Sequence, residues 1–240
     1  MNGPVPGAAE LASLIDHTLL APEAARADIA AAVAVAVANG CASVCVQPSM
    51  VEYACEVAGS RVPVCSVVGF PHGANLSETK ATEAALAVAA GAAEVDMVAD
   101  LGAIAEADHH AVAADVARVR AAVPHAVLKV ILESALWSEP QLRQAVEAAL
   151  GGGADYVKTS TGFHPAGGAS REAVRLMSDV CAGRAGVKAS GGIRGLGDAL
   201  GMLDAGATRL GLSGTEAILA EAGRDPRSPK DPGPATGGPR

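Results

Sequence analysis

The sequence predicts an α/β fold, a single closed (β/α)8 barrel, and three observations carry that prediction. The chain has 240 residues, the usual span of one such barrel domain. Short β-branched runs alternate along it with longer Ala-rich stretches of helical character, the pattern of repeated strand and crossover helix. The first strand runs into IDHTLLAPEA, without the Gly-rich turn that an open doubly wound sheet places there.

The expected strands are Ile15–Thr18, Ser43–Val46, Pro63–Val68, Glu94–Val98, Val127–Ile131, Tyr156–Lys158, Val187–Ala189 and Thr208–Leu210. Helical segments lie between them. Ser77 precedes one helix, and Ser138-Glu139-Pro140 places a capping residue ahead of a Pro in the first turn of another. Gly40, Gly91 and Gly151 sit where helices should stop. The barrel domain is expected over residues 1–221, and 222–240, rich in Pro, Gly and Arg, as a disordered tail.

Half of the chain is hydrophobic but only 2% is aromatic, so the core must be built from Ala, Val, Leu and Ile. The formal net charge of -8 argues against a nucleic-acid partner or an anionic membrane surface. An anionic substrate would need a local cradle. Cys41, Cys45, Cys55, Cys65 and Cys181 are odd in number and match no zinc spacing. Reduced thiols in a cytoplasmic protein, with no metal, are expected. MNGPVPGAAE lacks the basic and apolar regions of a signal peptide. The most apolar run, Ile29 to Ala38, is about half the roughly 20 residues that cross a bilayer.

Only five lysines stand against thirteen arginines, so lysine positions are informative. Lys230 falls in the tail and Lys80 on a helix. Lys129, Lys158 and Lys188 fall on the fifth, sixth and seventh strands. A strand residue in a closed barrel faces either the interior or the helix layer, and an ammonium is costly in both unless paired. Chemistry supplies a reason to place it there. An amine attacks a carbonyl only when neutral, and at a pKa of about 10.4 roughly one in 2,500 is neutral at pH 7. Burial and a neighbouring cation favour the neutral form, so Lys158 and Lys188, on neighbouring strands, are expected to exert that pressure on each other.

Gly191 and Gly192 follow the seventh strand in KASGGIRG, and Gly211, Ser213 and Gly214 follow the eighth in LGLSG. Such loops let backbone N–H groups close on a phosphate, and in α/β barrels this is where one commonly binds. Gly162, after the sixth strand, joins them, with Arg194 as a charged helper or the mark of a helix start. Asp96, toward the C-terminal end of the fourth strand, shares a face with Glu94. It is read as an acid/base group or as the counter-ion of a buried lysine. Asp16 is read as orienting a substrate hydroxyl or capping a turn, and Glu133 as another partner for Lys129. Cys45 is read as a buried thiol.

LIDHTLL, SVCVQPSMV, VCSVVGFPHGANLSETKATEA, EVDMVADLGA, LKVILESALW, DYVKTSTGF, VKASGGIR and LGLSG together resemble the deoxyribose-phosphate aldolases, a family of Schiff-base-forming TIM-barrel enzymes. The resemblance implies a small-molecule sugar phosphate and an aldehyde as reactants, no cofactor, and a homodimer by analogy. It implies that Lys158 forms the Schiff base, that Lys188 is the second active-site lysine, and that Asp96 belongs to the proton relay. It puts Gly162, Gly191, Gly192, Gly211 and Ser213 on the phosphate and Lys129 in the same polar network. The imine would act as electron sink for a sugar bond assigned to C3–C4. Gln47 and His72 stand where the family more often has Asn and Leu. Two other readings stay open on the residues alone: a sugar-phosphate isomerase without covalent attachment, and a non-catalytic sugar-phosphate binder.

Overall fold

The computed structural model describes residues 6–224. Its strands are β1 (Ile15–Thr18), β2 (Ser43–Val46), β3 (Val64–Val68), β4 (Glu94–Val98), β5 (Val127–Ile131), β6 (Tyr156–Lys158), β7 (Gly186–Ser190) and β8 (Arg209–Leu212). The helices are α1 (Ala8–Ala12), α2 (Arg26–Asn39), α3 (Val51–Ala58), α4 (Ser77–Ala89), α5 (Leu101–Ala105), α6 (His109–Ala122), α7 (Glu139–Gly151), α8 (Arg171–Cys181), α9 (Leu196–Asp204) and α10 (Thr215–Ala222). The strands pair in parallel in chain order, and β8 returns to β1, so the barrel is closed as expected.

Alternation along each strand divides the barrel into two environments. Val95 and Met97 of β4, Leu128 and Val130 of β5, Val187 and Ala189 of β7, and Leu210 and Leu212 of β8 belong to the apolar core shared with the helices. Burying each Val or Leu there contributes about 1.5–3 kcal/mol relative to exposure. On the helix side the contacts come largely from small residues such as Ala84, Ala87, Ala145 and Ala149, which let helices lie close without aromatic filler. The intervening residues, Glu94 and Asp96, Lys129, Lys158, Lys188 and Arg209, join one another inside the barrel. The interior is therefore ionic where most barrels of this kind are packed with branched apolar side chains.

Helix ends follow local chemistry. At the start of α7, Ser138 donates both its backbone N–H and its hydroxyl to Gln141 Oε1, at 3.2 and 2.7 Å, with Pro140 in the first turn. Asp100, Asp108 and Ser170 cap α5, α6 and α8 by accepting a backbone N–H. Gly40 stops α2. At the C-terminal side, α10 ends on Ala222, whose side chain is buried. The helix thus runs one residue into the stretch expected to be tail, and 225–240, with Lys230, lie outside the described residues. Among the described residues, no helix is long and apolar enough to cross a membrane.

Lys80 lies on a helix, as expected, but not on its solvent face. It is fully buried on α4, donates to Val98 O at 3.0 Å and pairs with the buried Asp115 of α6 at 2.7 Å. Asp115 also accepts from Asp100 N. This pair ties α4 and α6 to the end of β4, outside the barrel interior.

Candidate active site

Lys158 and Lys188 are partners in the β6–β7 register, and Lys158 ends its strand. Both side chains enter the barrel. Lys158 Nζ lies 2.8 Å and Lys188 Nζ 2.6 Å from the same oxygen, Asp96 Oδ2. The fully buried Lys188 also donates to Asp16 Oδ2. Lys129 pairs with Asp96 in the β4–β5 register and reaches Asp96 Oδ1 at 2.7 Å, Glu94 Oε2 at 2.6 Å and Asp16 Oδ2 at 3.4 Å. Arg209 closes the ring, 2.6 Å from Asp16 Oδ1 and 3.4 Å from Glu94.

Asp96 is thus a hub for three ammonium groups. Burial alone would raise its pKa, but Lys129, Lys158 and Lys188 outweigh burial and hold it well below the usual carboxylate range. Asp16 is lowered in the same way: burial opposes, and Lys129, Lys188 and Arg209 prevail. For Lys188, burial favours the neutral amine, but Asp16 and Asp96 raise its pKa above the ordinary lysine value. Lys129 is raised likewise, by Asp16, Asp96 and Glu94 against burial. The interior therefore carries fixed charges on Asp16, Asp96, Lys129 and Lys188.

The partners set Lys158 apart. Among the described residues, Lys129 reaches three carboxylates and Lys188 two, whereas Lys158 reaches only Asp96, through an oxygen it shares with Lys188. Three carboxylates face four cations in this cluster. A neutral Lys158 would leave three of each.

A cavity of about 320 Å³ opens at the C-terminal ends of the strands, where barrel enzymes hold their substrates. Lys158 lines it together with Gly162, Gly191, Gly192, Gly211 and Ser213. Gly162 and Gly191 both have positive φ, 83° and 82°, and a Cβ on Gly191 would meet Gly162 Cα at 3.4 Å and Gly168 Cα at 3.0 Å. These glycines let the β6 and β7 loops run backbone against backbone with N–H groups free to face a ligand. Gly211 has a further consequence: a Cβ there would lie 2.9 Å from Lys188 Cε, so its bareness makes room for that lysine. Arg194 is not among the cavity walls; its backbone N–H donates to Asp198 at the start of α9.

Glu133 corrects one expectation. Among the described residues it makes no ion pair with Lys129. Instead its buried carboxylate accepts Thr161 Oγ1–H at 2.6 Å and faces Thr161 N at 3.3 Å. Cys45 is buried, as expected, beside Cys65 on the neighbouring strand. Their sulfur atoms and an Asp96 oxygen lie within 4.8 Å of one another, but Asp96 already serves the ammonium groups, and Cys65 donates to Asp96 at 3.2 Å. Arg209 was not singled out from sequence, because twelve other arginines shared its appearance. The signal was its spacing: it stands two residues before Gly211, on the same face of β8.

A closed parallel barrel with a lysine-lined cavity at its strand ends defines a barrel enzyme. The family model described as "DeoC/LacD family aldolase" matches residues 11–219. A deoxyribose-phosphate aldolase of Mycobacterium avium is 59% identical over 218 residues, covering 89% of this chain and 97% of that one. One from Mycobacterium tuberculosis is 56% identical, covering 89% and 96%. A solved structure of tetrameric deoxyribose phosphate aldolase from Aeropyrum pernix superposes with a TM-score of 0.82 at 36% identity, covering 90% of this chain and 92% of that one. The chain belongs to the DeoC/LacD aldolase family, and it is a lyase.

Proposed function

We propose that this protein is a metal-free, cofactor-free aldolase that reversibly cleaves 2-deoxy-D-ribose 5-phosphate to D-glyceraldehyde 3-phosphate and acetaldehyde, with Lys158 as the Schiff-base residue. The observation that carries the residue assignment is the shared oxygen: Lys158 and Lys188 both end on Asp96 Oδ2, and Lys158 alone of the two lines the cavity.

Neutral Lys158 attacks C1 of the open-chain sugar, and loss of water gives a protonated imine. The bond that breaks is C2–C3. The C3–C4 assignment made from sequence is wrong, because an electron sink at C1 stabilises a carbanion only at the adjacent carbon, C2, and acetaldehyde has two carbons. As C2–C3 breaks, its electron pair moves through C2 into the iminium. The C3 hydroxyl proton leaves to Asp96, directly or through water, and is returned at C2 in the next step, while C3 becomes the aldehyde of glyceraldehyde 3-phosphate. The enamine takes a proton at C2, and water hydrolyses the imine to acetaldehyde and free Lys158.

Asp96 supports the relay by connecting Lys158 to Lys188 through one oxygen. Held so firmly ionised, it is a weak base, so it passes protons between amines and does not store them. Lys129, Glu94 and Arg209 fix Asp96 and Asp16 from below. Gly162, Gly191, Gly192, Gly211 and Ser213 hold the phosphate by backbone and hydroxyl donors. Asp16, fully engaged by Lys188 and Arg209, supports the second lysine; the sugar hydroxyl is a further partner we assign to it. Homodimeric assembly and a cytoplasmic location are proposed on family analogy and on the five free cysteines.

The test is borohydride reduction of the protein in the presence of acetaldehyde, followed by peptide mapping. The expected product is an ethyl group on Lys158. An adduct confined to Lys188 or Lys129, or none with full aldolase turnover, would remove the assignment.

A further inference from the structure

Glu133 bears two costs at once. It has a left-handed backbone, with φ 51°, at a residue that is not glycine. Its carboxylate is buried, with the residue 1% exposed, and among the described residues no cation pairs with it. Both costs fall immediately after β5, beside the loop that follows Lys158. Nothing in the lysine chemistry uses this residue.

Its contacts show what it holds. Thr161 Oγ1 donates to Glu133 Oε2 at 2.6 Å, and Thr161 N points to Glu133 Oε1 and Oε2 at 3.3 and 3.4 Å. Thr161 Oγ1 in turn accepts from Phe163 N at 3.1 Å. The carboxylate therefore fixes the residues on both sides of Gly162. The following backbone bond, from Ser134 N to Thr159 O at 2.7 Å, ties the same two loops a second time. Gly162 then packs on Gly191, whose neighbour Ser190 exchanges hydrogen bonds with Thr159 and donates its hydroxyl to Ser160 O.

We infer that Glu133 is a positioning residue for the phosphate end of the cavity: through Thr161 it sets the direction of the Gly162 backbone and, by that contact, the fit of the Gly162–Gly191 cradle. A carboxylate suits this task because one group can accept both the hydroxyl and the N–H of Thr161. A neutral amide keeps the oxygen that Thr161 Oγ1 needs, so the role depends on an acceptor and not on charge. The inference rests on reading the glycine loops as a phosphate site.

The experiment compares 2-deoxyribose 5-phosphate with unphosphorylated 2-deoxyribose as cleavage substrates. The readout is the ratio of their kcat/KM values within each variant, so that a general loss of folded enzyme cancels. A misplaced cradle should lower that ratio about tenfold or more in Glu133→Ala and in Thr161→Val, chiefly through KM for the phosphorylated sugar. Glu133→Gln should recover most of it. If Glu133→Ala fails to fold, Thr161→Val carries the same expectation, since it removes the hydroxyl and leaves the strand-end residue intact. An unchanged ratio in the folded variants overturns the inference. So does a Glu133→Gln ratio as low as that of Glu133→Ala, which would make the charge itself the requirement. Failure of the underlying phosphate reading looks different: the wild-type enzyme would then not prefer the phosphorylated sugar at all.

Discussion

Lys158 and Lys188 are direct register partners on adjacent strands, and their ammonium nitrogens converge on a single oxygen of Asp96 at 2.8 and 2.6 Å. The two amines therefore face the same side of the sheet, as a coupled pair requires. Replacing Lys158 with Leu should abolish cleavage while leaving the barrel folded, since among the described residues the lost ammonium has only Asp96 as partner and two other lysines still hold that carboxylate. Turnover and circular dichroism check this together. Measurable wild-type-like activity in Lys158→Leu would refute the role.

Lys188→Leu acts on the charge balance. Three carboxylates would then face Lys129, Arg209 and Lys158, and a proton on Lys158 would become the last positive charge needed to match them. Imine formation should consequently require a higher pH. The measurement is the rate of borohydride-trappable imine formed with acetaldehyde across pH. A profile superposable on wild type after scaling would break the link between the two amines.

Gly211→Ala probes the room left for Lys188. The added methyl would stand 2.9 Å from Lys188 Cε and 3.0 Å from Ser190 Cβ. A lysine stem normally yields, but this one is pinned between Asp16 and Asp96. The variant should fold, at a stability cost of about 1–3 kcal/mol, and lose on the order of 10²-fold in kcat from the displaced amine. Unaltered kcat would show that Lys188 has slack or that its position does not matter.

The lysines and glycine loops were legible because few residue types behave as they do. Five lysines, three of them on strands, leave little room for an accidental pattern, and strand parity placed Glu94 and Asp96 on one face. All eight strands lie where β-branched runs predicted them, with ends shifted by a residue or two. Less legible were contacts that depend on how helices and loops turn toward the sheet. Lys80 was placed on a helix, but nothing in the sequence showed that its face of α4 meets α6 and the end of β4. Glu133 was near Lys129 in sequence, but its left-handed backbone aims the carboxylate toward the β6 loop. No periodicity rule reports a single residue's departure from the strand.

The acid stability of the fold should follow Asp16 and Asp96. Both carboxyls have pKa values below the unfolded value of about 3.9. The unfolded chain therefore binds more protons than the native one as the solution is acidified. Their contribution is complete above about pH 4–5 and is lost as pH falls further, through the unfolded and then the folded pKa. Urea unfolding at a series of pH values between 6 and 3 should show stability steady at first and then falling. Asp16→Asn, which removes one of the two groups, should flatten that fall. A slope of wild-type steepness in Asp16→Asn would assign the acid limb to other carboxylates.

Lys80 and Asp115 give a test of the frame around the site. Lys80→Met keeps the stem's volume but strips Asp115 of the one ion-pair partner it has among the described residues and leaves Val98 O without its side-chain donor. Removing one member of a buried pair typically costs about 3–5 kcal/mol, because the survivor remains charged and desolvated. Chemical denaturation should show a loss of that order. Adding Asp115→Leu to the same chain should return a good part of it, since the stranded charge is then gone; Asp100 N would lose its acceptor, so recovery should be incomplete. If Lys80→Met costs less than about 1 kcal/mol, the pair behaves like an exposed one and the end of β4 is held by backbone and packing alone. Since Val98 lies two residues beyond Asp96 on the same strand, a substantial cost would also mean that the carboxylate hub is braced from outside the barrel, by a lysine that never enters the active site.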